Sequence, residues 1–360
     1  MNNHLVPQGT MMMSTTSEAL TVHLLFLFHL VQIKRMKKQL LLFIELLVSL
    51  IVIAVVLFLV ELDKVLAVIA NANHWFILAA FFAYFGINLG MGIRIRLILA
   101  EMGHKISLIS ALMANFAGML TSDFTPARSG YFATAFALAA NEKIPLGKAV
   151  VSILGPQLFE FMLKVCAGTI AIIYIFYYLN LGEGSFAGMF LGVIALASML
   201  IFGILLLFSK RFLILLKPIE KLPFGEVAYS KLVGMQHHAI AIKKVVPAIL
   251  ILLVITWFLK GVEWYMLALS VGMQPNIQLN PLLFYMFLQP LITILQFIPT
   301  PTLAGIGLSE AGSIAVLSLF GVQPHVAAAY ALLTRSLMIL VDLIGVQEAR
   351  KVIHKSLDHI

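Results

Sequence analysis

Nine ionisable side chains lie inside stretches that are otherwise apolar: Asp123, Arg128, Glu160, Lys164, Lys260, Glu263, Glu310, Arg335 and Asp342. A charge in a medium without water is costly, so each must be paired or put to use. Arg128 follows a Thr-Pro-Ala break, and a guanidinium is a rigid donor fork that matches phosphate bidentately. A helix beginning near Gly130 would aim free N–H groups at the same anion. The competing reading is an ion pair from Arg128 to Asp123 or Glu310. Glu310 opens a helix, where an acidic residue complements the macrodipole; it is otherwise a partner of Arg128 or Arg335 that an anionic ligand displaces. Arg335 and Asp342 are seven apart and share one helix face. Arg335 reads as the deeper of the two and as a cavity residue, Asp342 as a charge near an interface.

Glu160 and Lys164 are spaced i, i+4 in the favourable order, so they pair along one helix or line the same cavity. Lys260 and Glu263, one turn apart, read the same way. Asp123 pairs with Arg128 across the break or titrates. Catalysis finds less support. There is no Walker loop, no His-Glu-x-x-His and no nucleophile elbow. Gly305-Ile-Gly307 lacks the strand that a dinucleotide fold requires. Asp123 and Glu310 are the one acid/base combination an intramembrane enzyme could use, and the chain is expected not to be an enzyme. A single cysteine, Cys166, excludes an intramolecular disulfide, and no Cys/His spacing suits a metal. His237-His238 reads as solvated loop. No cofactor is implied.

The surrounding elements are membrane helices. Of 360 residues, 61% are hydrophobic and 11% charged, with mean hydropathy +1.03, against about 25% charged in an ordinary globular domain. Long apolar runs without alternation exclude barrel strands, and lipid leaves helices as the alternative. Spans are expected at 39–60, 75–97, 145–179, 185–208, 246–270 and 324–346, each able to supply the ~20 residues a crossing needs. Asp63 to Asn73 reads as an amphipathic surface helix. Glu45 sits near a span end, where it can snorkel. The net charge of +8 does not indicate nucleic acid, because Lys and Arg gather in a few connections, as the positive-inside rule predicts. By that rule Arg94, Arg96 and Lys105, the loop from Lys210 to Lys244, and the tail with Arg350, Lys351 and Lys355 are cytoplasmic. Arg94 and Arg96 read as topology anchors that touch lipid phosphates. Residues 1–35 form an N-terminal extension, with synthesis expected to begin at Met36; residues 36–350 form one transmembrane domain and 351–360 a cytoplasmic tail.

Two segments do not fit as simple spans. Ile106–Asn141 begins and ends on the cytoplasmic side, and its second limb of about twelve residues covers only ~18 Å of helix. Pro281–Phe320 enters and leaves by the external face. Each reads as a re-entrant hairpin, with tips at Thr121–Ser129 and Pro299–Ser309. Both show the same order: a Pro- and Gly-containing break, a short helix, then a proline opening a long span at Pro145 or Pro324. Entry from opposite faces is the pattern of inverted-repeat transporters, whose broken helices meet at a midplane site. The plainer alternative is that Pro and Gly punctuate two loops.

Phe124-Thr-Pro-Ala-Arg-Ser-Gly130 resembles the Pro-Gly-Arg-Ala-Gly stretch of the transmembrane, flippase-like domain of lysylphosphatidylglycerol synthases. Pro299-Thr-Pro and Gly305-Ile-Gly-Leu-Ser-Glu-Ala-Gly312 resemble that family's Pro-Gly-Gly-Leu-Gly…Glu-Gly stretch. Arg94, Arg96 and Arg335 match as well, and the resemblance covers roughly Lys38 to Arg350. There are departures: Ala127 replaces the glycine before Arg128, Tyr131 replaces an acidic residue, and Thr302-Leu303-Ala304 is inserted before the second set of glycines. The aminoacyl-transferring soluble domain of the full-length synthases is not expected in this chain. The resemblance therefore implies lipid translocation in the cell membrane, with an anionic headgroup as substrate, or assistance to a membrane enzyme that modifies lipids or lipid-linked glycans. The candidate headgroup site comprises Asp123, Arg128, Gly130, Gly305, Gly307, Glu310, Gly312 and Arg335, with Glu160 and Lys164 alongside. Lipid identity, coupling ion and oligomeric state stay open.

Overall fold

A computed structural model describes residues 46–51, 60–179, 209–221, 243–294, 305–358 and scattered positions between 54 and 58, 194 and 206, and 226 and 236, with Gln296 and Thr302. Among the described residues every regular element is helical. We number the helices α1 (Leu62–Ala70), α2 (His74–Glu101), α3 (Leu108–Asp123), α4 (Ala133–Glu142), α5 (Leu146–Leu179), α6 (Val246–Ser270), α7 (Pro281–Ile294), α8 (Leu308–Leu319), α9 (Pro324–Asp342) and α10 (Val346–Asp358). A 3-10 segment, Pro126–Phe132, joins α3 to α4, and another, Leu343–Gly345, joins α9 to α10.

The helix starts follow local chemistry. Asn73 caps α2 by accepting from the Trp75 amide at 3.0 Å, and Ser107 caps α3 by accepting from the Ser110 amide at 3.0 Å. Pro324 sits in the first turn of α9, where its missing N–H costs nothing. Pro290 lies within α7 and cannot donate to the Met286 carbonyl one turn back. The Trp257 indole of α6 donates to that carbonyl instead, at 2.9 Å.

Among the described residues, four helices are long and apolar enough to cross a membrane: His74–Glu101, Leu146–Tyr178, Val246–Ser270 and Pro324–Val352. Shorter apolar helices occupy Pro281–Ile294 and Leu308–Leu319. Phe82, Ile173, Ile251, Val254 and Leu340 stand exposed on these helices, as side chains that face lipid do. The protein is a helical membrane protein. The expected spans at 39–60 and 185–208, the extension 1–35, Glu45, His237-His238 and the Pro299-Thr300-Pro301 break fall largely or wholly outside the described residues. The stretch from Asp63 to Asn73, expected as an amphipathic helix, is helical as far as Ala70 in α1.

Among the described residues, two large apolar clusters make up most of the interior. One gathers Tyr84, Ile87, Trp264, Leu267, Tyr285 and Tyr330 from α2, α6, α7 and α9. The other gathers Ile98, Leu99, Ala111, Leu138 and Ile153 from α2 to α5. Between them runs a chain of polar contacts. Asn115 of α3 donates to Asn88 of α2 at 2.8 Å, and the Tyr131 hydroxyl donates to Asn115 at 3.1 Å. Asn88 and Asn115 are fully buried. Satisfied buried amides fix one arrangement of their helices, and here they hold the 3-10 segment against α2 and α3. The helix after the first break begins at Ala133 rather than near Gly130, because residues 126–132 form the tighter 3-10 turn.

Candidate functional site

The first break carries Arg128 in the left-handed region, with φ 55°. Such a φ is costly for a residue with a Cβ and persists where its surroundings enforce it. The enforcement is visible. Arg128 donates to Asp123 Oδ1 at 2.6 Å and to Gln296 Oε1 at 2.9 Å. Asp123 is fully buried at the end of α3, and Gln296 is buried just beyond α7. Arg128 therefore ties the first broken segment to the second. Gly130 is held where no side chain fits: a Cβ there would run into the Thr121 carbonyl group. Its amide is already spent on Thr125 Oγ1, at 2.6 Å, so the expected free N–H for an anion is not present at Gly130.

The second break presents Glu310 and Arg335. Arg335 Nε donates to Glu310 Oε1 at 2.9 Å, and Arg335 Nη2 donates to Ser309 Oγ at 2.8 Å. The other Glu310 oxygen accepts from the Gly307 amide at 2.7 Å. Glu310 thus caps α8 and pairs with Arg335 at once. Gly305 and Gly307 take φ of 68° and 89°, a turn that brings the Gly307 amide round to the carboxylate. Gly312 lies within α8. Arg335 Nη1 is buried without a hydrogen-bond partner among the described residues.

Glu160 and Lys164 pair along α5 at 3.1 Å, as the spacing predicts. Arg94 joins them, with Nη2 3.3 Å from Glu160. The expectation that Arg94 anchors the chain at a surface is corrected: its side chain is buried, because α5 places Glu160 beside it. Arg96 is exposed. Asp342, expected at an interface, is also corrected. It is fully buried and accepts from the Tyr84 hydroxyl at 2.8 Å. Lys260 and Glu263 do not form an ion pair despite their spacing; Glu263 Oε1 is buried with no hydrogen-bond partner among the described residues.

These residues converge on two adjoining cavities. One, of about 40 Å³, is lined by Arg128, Lys164, Lys260, Glu263, Glu310 and Arg335. The other, of about 290 Å³, shares Arg128, Lys164 and Lys260 and adds Glu160. Its remaining wall includes Met91, Met119, Ile153 and Phe132. Cationic side chains thus stand at the boundary between a polar chamber and a mostly apolar one. Unpartnered donors and acceptors in such a chamber suit a polar ligand, since a buried polar atom left unsatisfied costs about 1–3 kcal/mol. Among the described residues no group of three His, Cys, Asp or Glu could hold a metal.

Sequence reasoning missed Tyr84, Asn88, Asn115, Gln296 and Ser309, which position the charged groups. Asn88 and Asn115 carried a signal: an amide inside an otherwise apolar helix asks for a partner. Gln296 carried none, because its partner Arg128 is 168 residues away.

The family model described as the lysylphosphatidylglycerol synthase TM region matches residues 42–345. No curated protein matches the chain.

Proposed function

Because the chain belongs to the lysylphosphatidylglycerol synthase TM region family, we propose that it moves a lipid, or a lipid-linked intermediate, across the cell membrane. Its anionic headgroup binds between the two broken segments. The observation that carries this reading is the convergence of Arg128, Lys164, Lys260 and Arg335 on one cavity inside an apolar helical protein. A headgroup phosphate exchanges with the carboxylates that now hold Arg128 and Arg335, while acyl chains extend along the apolar wall of the larger chamber.

In this reading the segments around 126 and 305 are tips of re-entrant hairpins that enter from opposite faces, and the Arg128–Gln296 bond is their contact. The C-terminus is cytoplasmic, and the protein is a carrier rather than an enzyme. Exchange of ion pairs suits transport because the two end states cost nearly the same. A buried pair that is broken without replacement costs about 3–5 kcal/mol, whereas a phosphate that replaces a carboxylate leaves the guanidinium satisfied.

The test is purified protein in liposomes that carry fluorescent phospholipids and a lipid-linked sugar, with Arg128→Ala in parallel. Protein-dependent movement that the substitution removes supports the reading. Absence of movement under every ion gradient overturns it. The cavity would then belong to a partner of a membrane enzyme that modifies lipids or lipid-linked glycans.

A further inference from the structure

The two chambers impose an order on a bound lipid. Arg128, Lys164 and Lys260 line both of them, so a phosphate held by these cations stands at the boundary. With acyl chains along the apolar wall of the larger chamber, whatever is esterified to the far side of the phosphate falls in the smaller one. The smaller chamber is therefore where one headgroup is told from another.

Three of its residues carry polar atoms that nothing in the described chain serves. α6 supplies Glu263, α7 supplies Gln289 and α9 supplies Arg335, and all three line the smaller chamber. Glu263 and Gln289 are only 1% and 2% exposed. Glu263 Oε1, Gln289 Oε1 and Arg335 Nη1 are each buried with no hydrogen-bond partner among the described residues. The other edge of the Arg335 guanidinium is engaged, Nε by Glu310 and Nη2 by Ser309. A phosphate that displaces Glu310 takes that edge and leaves Nη1 to the group beyond it. A buried polar atom without a partner is costly, and more so on a charged group.

These atoms define the partner they need. Two are acceptors and one is a donor. A hydroxyl donates one hydrogen and accepts through two lone pairs, so hydroxyl groups serve both kinds. An ammonium only donates. It would leave Arg335 Nη1 unanswered and set a further positive charge beside Lys260 and Arg335, where little water screens it. An alkyl group serves none of the three. Size narrows the choice further. A chamber of about 40 Å³ takes two or three water-sized groups at roughly 10–15 Å³ each, which suits a short hydroxylated chain and not a sugar ring.

Resting on the translocation reading, we propose that Glu263, Gln289 and Arg335 form a hydroxyl-recognition subsite, and that the lipid carried is a singly charged phosphodiester with a short hydroxylated headgroup. The cations at the boundary hold its phosphate. Glu263 and Gln289 accept from its hydroxyl groups, and Arg335 Nη1 donates to one of them. A headgroup of the same charge without a hydroxyl leaves all three atoms unserved, and one that ends in an ammonium leaves the guanidinium unserved.

Two measurements test this. Proteoliposomes receive acyl-labelled fluorescent phospholipids whose phosphate carries a 2-hydroxyethyl, an ethyl or a 2-ammonioethyl group. The hydroxyethyl lipid should cross at least about tenfold faster than either of the others, because a site built for a hydroxyl rejects analogues that lack it. Gln289→Met should shrink the ratio of the hydroxyethyl rate to the ethyl rate, a comparison within one variant that its expression and insertion do not affect. An unchanged ratio would remove Gln289 from the subsite. Equal hydroxyethyl and ethyl rates, or an ammonioethyl lipid that crosses as fast as the hydroxyethyl one, would overturn the subsite and leave translocation standing. The second measurement does not need transport. The dihexanoyl forms of the same three lipids are added to the protein in detergent, and the hydroxyethyl form should raise the melting temperature most, since a ligand stabilises the state that binds it. If no lipid moves in the liposomes, translocation falls and the melting series alone decides: selective stabilisation by the hydroxyethyl form keeps the subsite, and equal shifts overturn it.

Discussion

Arg128 and Gln296 are 168 residues apart, yet the guanidinium of one donates to the amide oxygen of the other at 2.9 Å. With its second bond to Asp123 at 2.6 Å, Arg128 holds three pieces together: the end of α3, the first break and the stretch after α7. Removing Gln296 therefore should not unfold the protein, because the buried Arg128–Asp123 pair remains. It should loosen the meeting of the two breaks. A hydrogen bond to a charged group is worth about 1.5–3 kcal/mol, so Gln296→Ala should slow lipid movement by about ten- to a hundredfold. Flux in proteoliposomes, compared with an unchanged elution profile in detergent, checks this; native flux would show that the contact is incidental.

The Glu310–Arg335 pair is nearly buried, with side-chain exposures of 9% and 10%. Glu310→Gln removes the charge that answers Arg335 and weakens the acceptor for the Gly307 amide. Breaking one side of a buried pair costs about 3–5 kcal/mol. Thermal unfolding in detergent should therefore shift down strongly for Glu310→Gln. The double variant Glu310→Gln/Arg335→Gln should recover part of the loss, since no bare charge remains. If the double variant melts at the sum of the two single effects, the residues do not interact energetically.

The helical membrane class and the pairing of Glu160 with Lys164 could be read from the sequence, because both depend on local quantities: apolar run length, and i, i+4 spacing. The clustering of Arg128, Glu310 and Arg335 could be anticipated only as alternatives. A sequence shows that a buried charge needs a partner but not which one. Arg94 and Asp342 were misplaced for one reason. Each lies near the end of an apolar run, where a charge ordinarily reaches water, and neighbours distant in sequence bury it instead. Glu160 on α5 does this for Arg94, Tyr84 on α2 for Asp342. The 3-10 turn at 126–132 was missed because its stabilising contacts are side chains. Thr125 Oγ1 accepts from Gly130, and Tyr131 reaches Asn115.

Gly345 tests how tightly α9 and α10 are drawn onto α3. Its missing Cβ leaves room for the backbone of Phe116 and Ala117. Inserting even one methyl group forces a main chain aside, and overpacking of this kind costs about 1–3 kcal/mol. Gly345→Ala should lower the melting temperature, and it should move the end of α9 away from α3. Flux and unfolding measured together separate the effects. A native melting curve would show that the helices part without cost.

The Met286 carbonyl offers a cycle in which a loss and its rescue are both defined. Pro290 lacks the amide that would otherwise bond this carbonyl within α7, and the Trp257 indole of α6 takes its place at 2.9 Å. Trp257→Phe keeps an aromatic ring and removes the donor, leaving a carbonyl in an apolar environment at a cost of about 1–3 kcal/mol. Pro290→Ala restores a main-chain N–H one turn away and should be neutral or stabilising in either background. The decisive comparison is the double variant. If Trp257→Phe/Pro290→Ala regains the melting temperature that Trp257→Phe loses, the indole serves as a substitute for the missing amide. If no recovery occurs, Trp257 stabilises the α6–α7 contact through its ring packing against Phe287, 5.5 Å away between centroids, and the hydrogen bond is secondary.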